Sequence, residues 1–143
     1  MNYLLDTCVI SELVAKRPDP NVLRWIDSID EQSLYLNVIT IGEIRKGIER
    51  LADEPKKLSL HDWLQSQLLV RFAGRVQGID TEVMLIWGTL VSALEKAGTP
   101  MPALDSLIAA IAVKGDFTLV TRNQQDFQHS GATVFNPWQH TGA

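Results

Sequence analysis

Short apolar runs alternate along this chain with segments whose apolar residues follow helical spacing, a pattern that predicts strands leading into helices. Strand-like runs lie at 4–5, 34–38, 76–79, 117–120 and 133–135. Helical spacing covers 7–14, 22–29, 40–48, 55–72, 80–97 and 103–114. Thr7 and Thr40 could cap the helices that follow the first two strands, and Gly98 and Gly115 indicate where two later helices end.

This order of elements predicts a three-layer α/β/α domain around a central, mainly parallel sheet of four to five strands, with right-handed crossovers. The chain has 143 residues, 45% of them hydrophobic, so we expect a single domain over 1–143. In open sheets of this kind, ligands bind beyond the carboxyl ends of the strands. The polar residues that follow each strand are therefore the first candidates for a functional site.

The charge balance excludes some classes of function. Seventeen acidic residues against thirteen basic ones give a net charge of −4, which argues against a basic nucleic-acid coat or an anionic-membrane binder. Any phosphate-rich partner must therefore meet a local site, where Arg45, Lys46 and Arg122 could supply positive charge. One cysteine excludes an internal disulfide and a multi-cysteine zinc site. Because neither a basic, apolar leader nor an apolar stretch of roughly 20 residues occurs, we expect a soluble, cytoplasmic protein with no membrane partner.

Four acidic residues are predicted to gather at the carboxyl edge of the sheet. Asp6 follows the first strand, and Glu43 lies one turn into the helix after the second. Asp105 lies in the first turn of a later helix, and Asp126 follows the fourth strand. Carboxylates held together repel one another, and a divalent cation neutralises that repulsion. Because oxygen ligands favour magnesium or manganese over zinc, this cluster predicts metal-dependent hydrolysis of nucleic acid.

Each acid also has a purely structural interpretation. Asp6 could cap a helix, and Glu43, three residues after Thr40, fits a capping box. Asp105 could stabilise a helix dipole, and Asp126 could be a solvated loop residue. Only their joint placement at one edge favours the functional interpretation over these separate ones.

Four sequence blocks carry a resemblance to a known family. They are LLDTCVISE at 4–12, IGEIRKG at 41–47, DSLIAA at 105–110 and TRNQQDF at 121–127. In order and spacing these blocks resemble the four motifs of PIN-domain ribonucleases, and the likeness is closest to the VapC toxins and the FitB branch. The segments FAGR at 72–75 and VFNPW at 134–138 extend the resemblance across nearly the whole chain.

The resemblance implies a PIN-like fold and a magnesium-dependent endoribonuclease, with manganese as a possible substitute. It implies that Asp6, Glu43 and Asp105 hold the metal. Asn123 or Asp126 matches the more variable fourth position, and we place Asp126 among the catalytic acids. The residues expected to bind substrate or to support the acids are Thr7, Thr121, Arg122 and Asn123.

The same resemblance implies a biological setting. Proteins of this type are usually the toxin of a type II toxin–antitoxin pair, which acts on RNA and is held inactive by a small DNA-binding antitoxin. The protein would then meet promoter DNA only indirectly, through the antitoxin, and would form a homodimer.

Two departures from the family pattern leave an alternative open. Asn123 stands where the FitB branch often has Asp, and Cys8 stands where the family usually has Asn. A catalytically weak or inactive PIN module could instead act in a DNA-bound repressor complex with its antitoxin. Cys8 itself is expected to be a small buried thiol, because no base or cationic group accompanies it. A phosphoacceptor domain is a third interpretation, although a dehalogenase-type phosphatase needs a second Asp at position 8.

Overall fold

The computed structural model describes residues 1–141, and five strands form the sheet at their centre. The strands are β1 (Tyr3–Leu5), β2 (Leu34–Asn37), β3 (Val76–Gln77), β4 (Thr118–Val120) and β5 (Thr133–Phe135). Their order is β3-β2-β1-β4-β5, and each of these neighbouring pairs is parallel. The prediction of a mainly parallel sheet of four to five strands is confirmed. The last two positions of the predicted domain, 142 and 143, lie outside the described residues.

Helices connect the strands. They are α1 (Thr7–Leu13), α2 (Pro20–Ser28), α3 (Val38–Glu49), α4 (Glu54–Trp63), α5 (Leu69–Arg71), α6 (Thr81–Lys96), α7 (Ala103–Lys114) and α8 (Gln124–Phe127). A π-helical turn over Leu64–Leu68 joins α4 to α5, so the helix predicted over 55–72 is one continuous helical stretch. Within 1–141, each helix is too short or too polar to cross a bilayer.

Each face of the sheet has its own hydrophobic core, because successive side chains of a strand point to opposite faces. Leu5 and Val120 belong to a cluster that also contains residues of α1 to α5. Their neighbours Leu4 and Leu119 belong to a second cluster, with residues of α6, α7 and α8. All four side chains are fully buried. The sheet is therefore covered on both sides, and the predicted three layers are confirmed.

Two helices begin directly at strand ends, without a connecting loop. Asp6 caps α1 by accepting a hydrogen bond from the Thr7 N–H, so Thr7 is the first helical residue and its predicted role as cap is wrong. Asn37 caps α3 by accepting from the Thr40 N–H at 2.9 Å. The prediction that Thr40 caps this helix is therefore also wrong, and the alternative interpretation of Glu43 as part of a capping box falls with it. Because the amide of Asn37 already satisfies the first turn, Glu43 has no capping task.

The segment 72–75 fixes the β2–β3 edge of the sheet, away from the four acids. Arg75 is buried, and its guanidinium donates to the backbone carbonyls of Glu31, Leu34 and Arg71 and to the Glu31 carboxylate at 2.8 Å. Gly74, with a φ of 80°, supplies the left-handed turn between α5 and β3. This part of the family resemblance therefore has a structural explanation.

Candidate functional site

The carboxylate of Asp6 lies at the end of the central strand and is held from two sides. The residue is only 6% exposed. Its Oδ1 accepts from the Thr7 N–H and its Oδ2 from the Thr121 hydroxyl, each at 2.8 Å. Burial raises the pKa of Asp6, the two hydrogen bonds lower it in part, and the charges of Glu43 and Asp126 raise it further. Asp6 thus both caps α1 and places a desolvated carboxylate at the sheet edge.

The carboxylate of Glu43 is held by a chain of polar side chains that crosses from α3 to α1. The Thr7 hydroxyl donates to Glu43 Oε1 at 2.6 Å, and the Thr7 and Thr40 hydroxyl oxygens share a hydrogen bond of 3.0 Å. The Asn37 amide donates to Thr40 Oγ1 at 3.1 Å. The Thr7 hydroxyl is thus shared between Glu43 and Thr40, and Thr40 Oγ1 also accepts from Asn37, so these contacts link all four side chains.

Asn37 and Thr40 are the supporting residues that sequence reasoning missed. Both side chains are fully buried, and the Asn37 amide also donates to the carbonyl of Leu5 on β1. A signal was available for Asn37, which follows an apolar strand at the same sheet edge as Asp6. Thr40 was noticed only as a cap, since its contact with Thr7 joins positions 33 residues apart.

Asp105 and Asp126 complete the acidic edge but lack comparable support. Asp105 lies in the first turn of α7 and is partly exposed, and Asp126 lies on α8 and is exposed. Within 1–141, neither carboxylate accepts a side-chain or backbone hydrogen bond. Partial burial, followed by the charges of Asp6, Asp126 and Glu43, raises the pKa of Asp105 to about 6. The structure therefore brings the four predicted acids within electrostatic reach of one another.

The remaining predicted residues lie around Asp6 and on the loop after β4. Thr121 is fully buried, and its hydroxyl oxygen also accepts from the Asn123 N–H at 3.1 Å. The side chain of Asn123 is exposed and makes no hydrogen bond within the described residues. The Arg122 guanidinium lies 4.9 Å from the centre of the Trp138 ring. Of the two candidates for the fourth position, Asp126 carries the charge that raises the pKa of Asp6 and Asp105. Among the described residues, Asn123 joins the site only through its backbone N–H, which donates to Thr121.

Cys8 occupies the inner side of the same site as a partly buried thiol. Its sulfur lies 3.5 Å from the Thr121 hydroxyl oxygen and 3.9 Å from Asp6 Oδ2. Burial raises the pKa of the Cys8 thiol, and the nearby charge of Asp6 raises it as well. The thiol is therefore protonated near neutral pH, which agrees with the expected small buried thiol and argues against a nucleophile.

The donor set suits a hard divalent cation, although the side chains do not form a ready-made cage. Across the described range 1–141, no three His, Cys, Asp or Glu side chains stand close enough together to hold an ion as they are placed. The four acids offer only oxygen donors, and repulsion from the other three acids adds to the effect of burial in raising the pKa of Asp105. A divalent cation would relieve that repulsion, so the residues fit such an ion.

A family description matches nearly the whole chain, since the model of the PIN domain covers residues 3–131. This chain belongs to the PIN-domain family. The PIN domain described here is also 38% identical to Toxin FitB of Neisseria gonorrhoeae over 135 residues, which are 94% of this chain and 97% of FitB. It is 34% identical to VapC ribonuclease Y4jK of Sinorhizobium fredii over 136 residues, with 95% and 97% of the two chains covered.

A solved structure gives the same assignment. FitAB bound to the IR36 DNA fragment contains a chain that matches this PIN domain with a TM-score of 0.91 and 36% identity, over 96% of each chain. The resemblance to the VapC type near the FitB branch is therefore confirmed. The phosphoacceptor interpretation is excluded by the same assignment.

Proposed function

We propose that this PIN domain is a metal-dependent endoribonuclease and the toxin of a type II toxin–antitoxin pair. The observation that carries the proposal is the convergence of four acids from four separate elements at one sheet edge. Helix capping accounts for Asp6 alone. Within residues 1–141, Glu43 is not the cap of its helix, and neither Asp105 nor Asp126 accepts a hydrogen bond. Burial, followed by the charges of Asp6, Asp126 and Glu43, raises the pKa of Asp105 to about 6. Such grouped, perturbed acids are typical of a functional site.

We propose Asp6, Glu43 and Asp105 as the metal ligands and Asp126 as the fourth catalytic acid. Divalent-metal dependence is general among PIN-domain ribonucleases. Oxygen donors favour magnesium, with manganese as a substitute. A bound cation would neutralise the acids and polarise the phosphodiester that is cut.

The chain's own side chains hold the acids in place for this chemistry. Thr121 and the Thr7 N–H orient the two oxygens of Asp6, and the Thr7 hydroxyl orients Glu43. Thr7 and Thr121 are thus positioning residues. Arg122 and Asn123 lie exposed beside them, where they can contact the substrate RNA.

The proposed partners follow from the relatives. FitB is described as a toxin, and its complex with FitA binds a DNA fragment. We therefore propose a cognate antitoxin that inhibits this chain and links it to promoter DNA. A homodimer stays a prediction, and light scattering at micromolar concentration would contradict it by finding a monomer.

The alternative of an inactive PIN module is not favoured. Asp6, Glu43, Asp105 and Asp126 are all present, and a relative covering most of this chain is described as a ribonuclease. Cys8 leaves the hydrogen bonds of Asp6 intact, so this departure from the family pattern does not disable the acid.

The proposal is tested by titrating Mn²⁺ calorimetrically into the partner-free protein and assaying RNA cleavage on the same samples. Asp105→Asn should lose both manganese binding and cleavage. Asp27→Asn, which changes an exposed acid on α2, is the matched control and should retain both. Manganese binding by the wild-type protein without cleavage of any RNA tested would contradict the enzyme assignment.

A further inference from the structure

An open groove runs along α3, beside the acidic edge. Its volume is about 510 Å³. One face of α3 forms most of its floor, and the lining positions from Glu43 to Arg50 follow helical spacing over about two turns. The residues that define it here are Gly42, Glu43, Lys46 and Gly47 on α3, Arg50 at the C-terminal cap of α3, and Leu104 on α7. Because Glu43 is shared, whatever occupies this groove lies against the proposed catalytic acids.

In the described part of the chain, the two basic residues in the groove, Lys46 and Arg50, lack the ion pairs that neighbouring basic residues make. On the neighbouring face of α3, Arg45 is engaged with Glu49 at 3.0 Å, and Lys57 and His61 converge on the same carboxylate. Lys46 and Arg50 make no ion pair within residues 1–141. They stand one helical turn apart, where like charges repel each other. The structure thus keeps two uncompensated cations beside an acidic cluster, in a protein with a net charge of −4.

We propose that this groove is an RNA subsite in which Lys46 and Arg50 bind backbone phosphates next to the bond that is cut. The inference rests on the proposed ribonuclease function and adds to it the place where the strand lies. A polyanion relieves the repulsion between the two cations. The apolar wall, formed by the exposed side chains of Leu104 and Val38, is suited to contact a sugar or a base.

Charge favours RNA over a protein tail as the occupant. A basic peptide attracted to the carboxylates of Asp6 and Glu43 would meet repulsion from Lys46 and Arg50 along this route. An RNA strand would meet attraction from the groove and would need a divalent cation only at the acids. The groove therefore complements the charge pattern of a substrate that the negative protein otherwise repels.

The first test measures how RNA binding depends on salt. A short fluorescein-labelled oligouridylate is titrated with protein in EDTA, so that the strand stays intact, over a series of salt concentrations. The binding constant K falls as salt rises, and each phosphate contact on a single strand contributes about −0.7 to the slope of log K against log salt. The double variant Lys46→Gln/Arg50→Gln should therefore make this slope less negative by about 1.4. Lys16→Gln/Lys96→Gln removes the same charge from exposed positions elsewhere and should leave the slope unchanged.

The second test blocks the groove without removing charge. Nothing lies within 4 Å of a Cβ built at Gly47 or at Gly88 on α6, and both positions are exposed, so each has open space for the start of a side chain. Leucine is also a better helix former than glycine. Gly47→Leu should weaken oligouridylate binding at least several-fold, whereas Gly88→Leu should not. Thermal unfolding of both variants confirms that neither loses its fold.

The outcomes separate this proposal from the proposed function. If the wild-type protein cleaves RNA with manganese but the salt slope of Lys46→Gln/Arg50→Gln equals that of the control, the subsite is wrong and the enzyme stands. If the slope falls but no cleavage occurs, the groove binds RNA and the enzyme assignment fails. If poly-glutamate competes as well as oligouridylate and the variants weaken both equally, the groove is a general anion site and the RNA assignment is overturned.

Discussion

The two halves of the acidic edge are built differently. Asp6 and Glu43, here called the supported pair, follow β1 and β2 and accept hydrogen bonds from Thr7 and Thr121. Asp105 and Asp126, the open pair, lie on α7 and α8 and accept no hydrogen bond within the described part of the chain. Asp6 is nearly buried, whereas Asp126 is exposed. One half of the site is therefore oriented before any cation arrives, and the other half is restrained only by the helices that carry it.

This difference teaches how the site can exist without metal. Four oriented and desolvated carboxylates would repel one another strongly. The open pair keeps that cost low because its carboxylates reach water, and the pKa of Asp105 still rises to about 6. Under the proposed function, the supported pair would define where a cation binds, and Asp105 of the open pair would complete the ligand set. Preorganisation of the first two ligands would reduce the ordering that binding requires.

The largest expected effect comes from the supported pair. Asp6→Asn should reduce RNA cleavage about a thousand-fold, because several kcal/mol of charge stabilisation by the cation are lost with one ligand. The amide keeps an oxygen for the Thr7 N–H, so α1 retains its cap. The measurement is a single-turnover cleavage assay with Mn²⁺ in excess. A loss below ten-fold would show that Asp6 serves only as a cap.

In the segment after β4, Asp126 of the open pair should matter more for cleavage than Asn123. Asp126→Asn should reduce cleavage about 10- to 100-fold, because its charge acts on both Asp6 and Asp105. Asn123→Ala should change the rate less, since only its backbone N–H joins the site through Thr121. The same single-turnover assay compares the two variants. The reverse order would assign the fourth position to Asn123 and its neutral oxygen.

The support itself can be removed without touching an acid. Thr40→Val deletes the hydroxyl that connects Asn37 to Thr7 and keeps the shape of the side chain. Manganese affinity should fall about 10- to 100-fold, the usual effect of losing a partner that orients a metal ligand. Thr40→Ser should restore it. If calorimetry finds equal affinity in the valine and serine variants while both stay folded, the chain of side chains does not orient Glu43.

Local patterns predicted the sheet and the helices because strand and helix spacing are read within a few residues. The two helix caps were misplaced by one and three residues, since Asp6 and Asn37 compete with Thr7 and Thr40 for the same capping task. The parallel sheet made it possible to predict that the acids lie at one edge. The hydrogen bonds that orient them could not be predicted, because the contact of Thr7 with Glu43 joins residues 36 positions apart and leaves no local signal.

The smallest expected effect concerns stability in the absence of metal. Asp105 has a folded-state pKa of about 6 against 3.8 for an ordinary aspartate, so between these values the folded chain binds more protons than the unfolded one. The free energy of unfolding contributed by this group therefore falls as pH rises through that window and is constant above it. Asp105→Asn should be more stable than the wild type above pH 6 by an amount on the order of 1 kcal/mol, after allowance for solvent screening of a partly exposed carboxyl.

Urea unfolding in EDTA over a series of pH values measures this difference. The advantage of Asp105→Asn should shrink as pH falls and should vanish below pH 3.8, where both forms of the residue are neutral. Asp27→Asn is the control and should show no such trend. Because the supported pair is unchanged in these proteins, a missing advantage above pH 6 would mean that Asp105 reaches enough water to escape both desolvation and the repulsion of the other acids. The contrast between the two halves would then rest on hydrogen bonding alone.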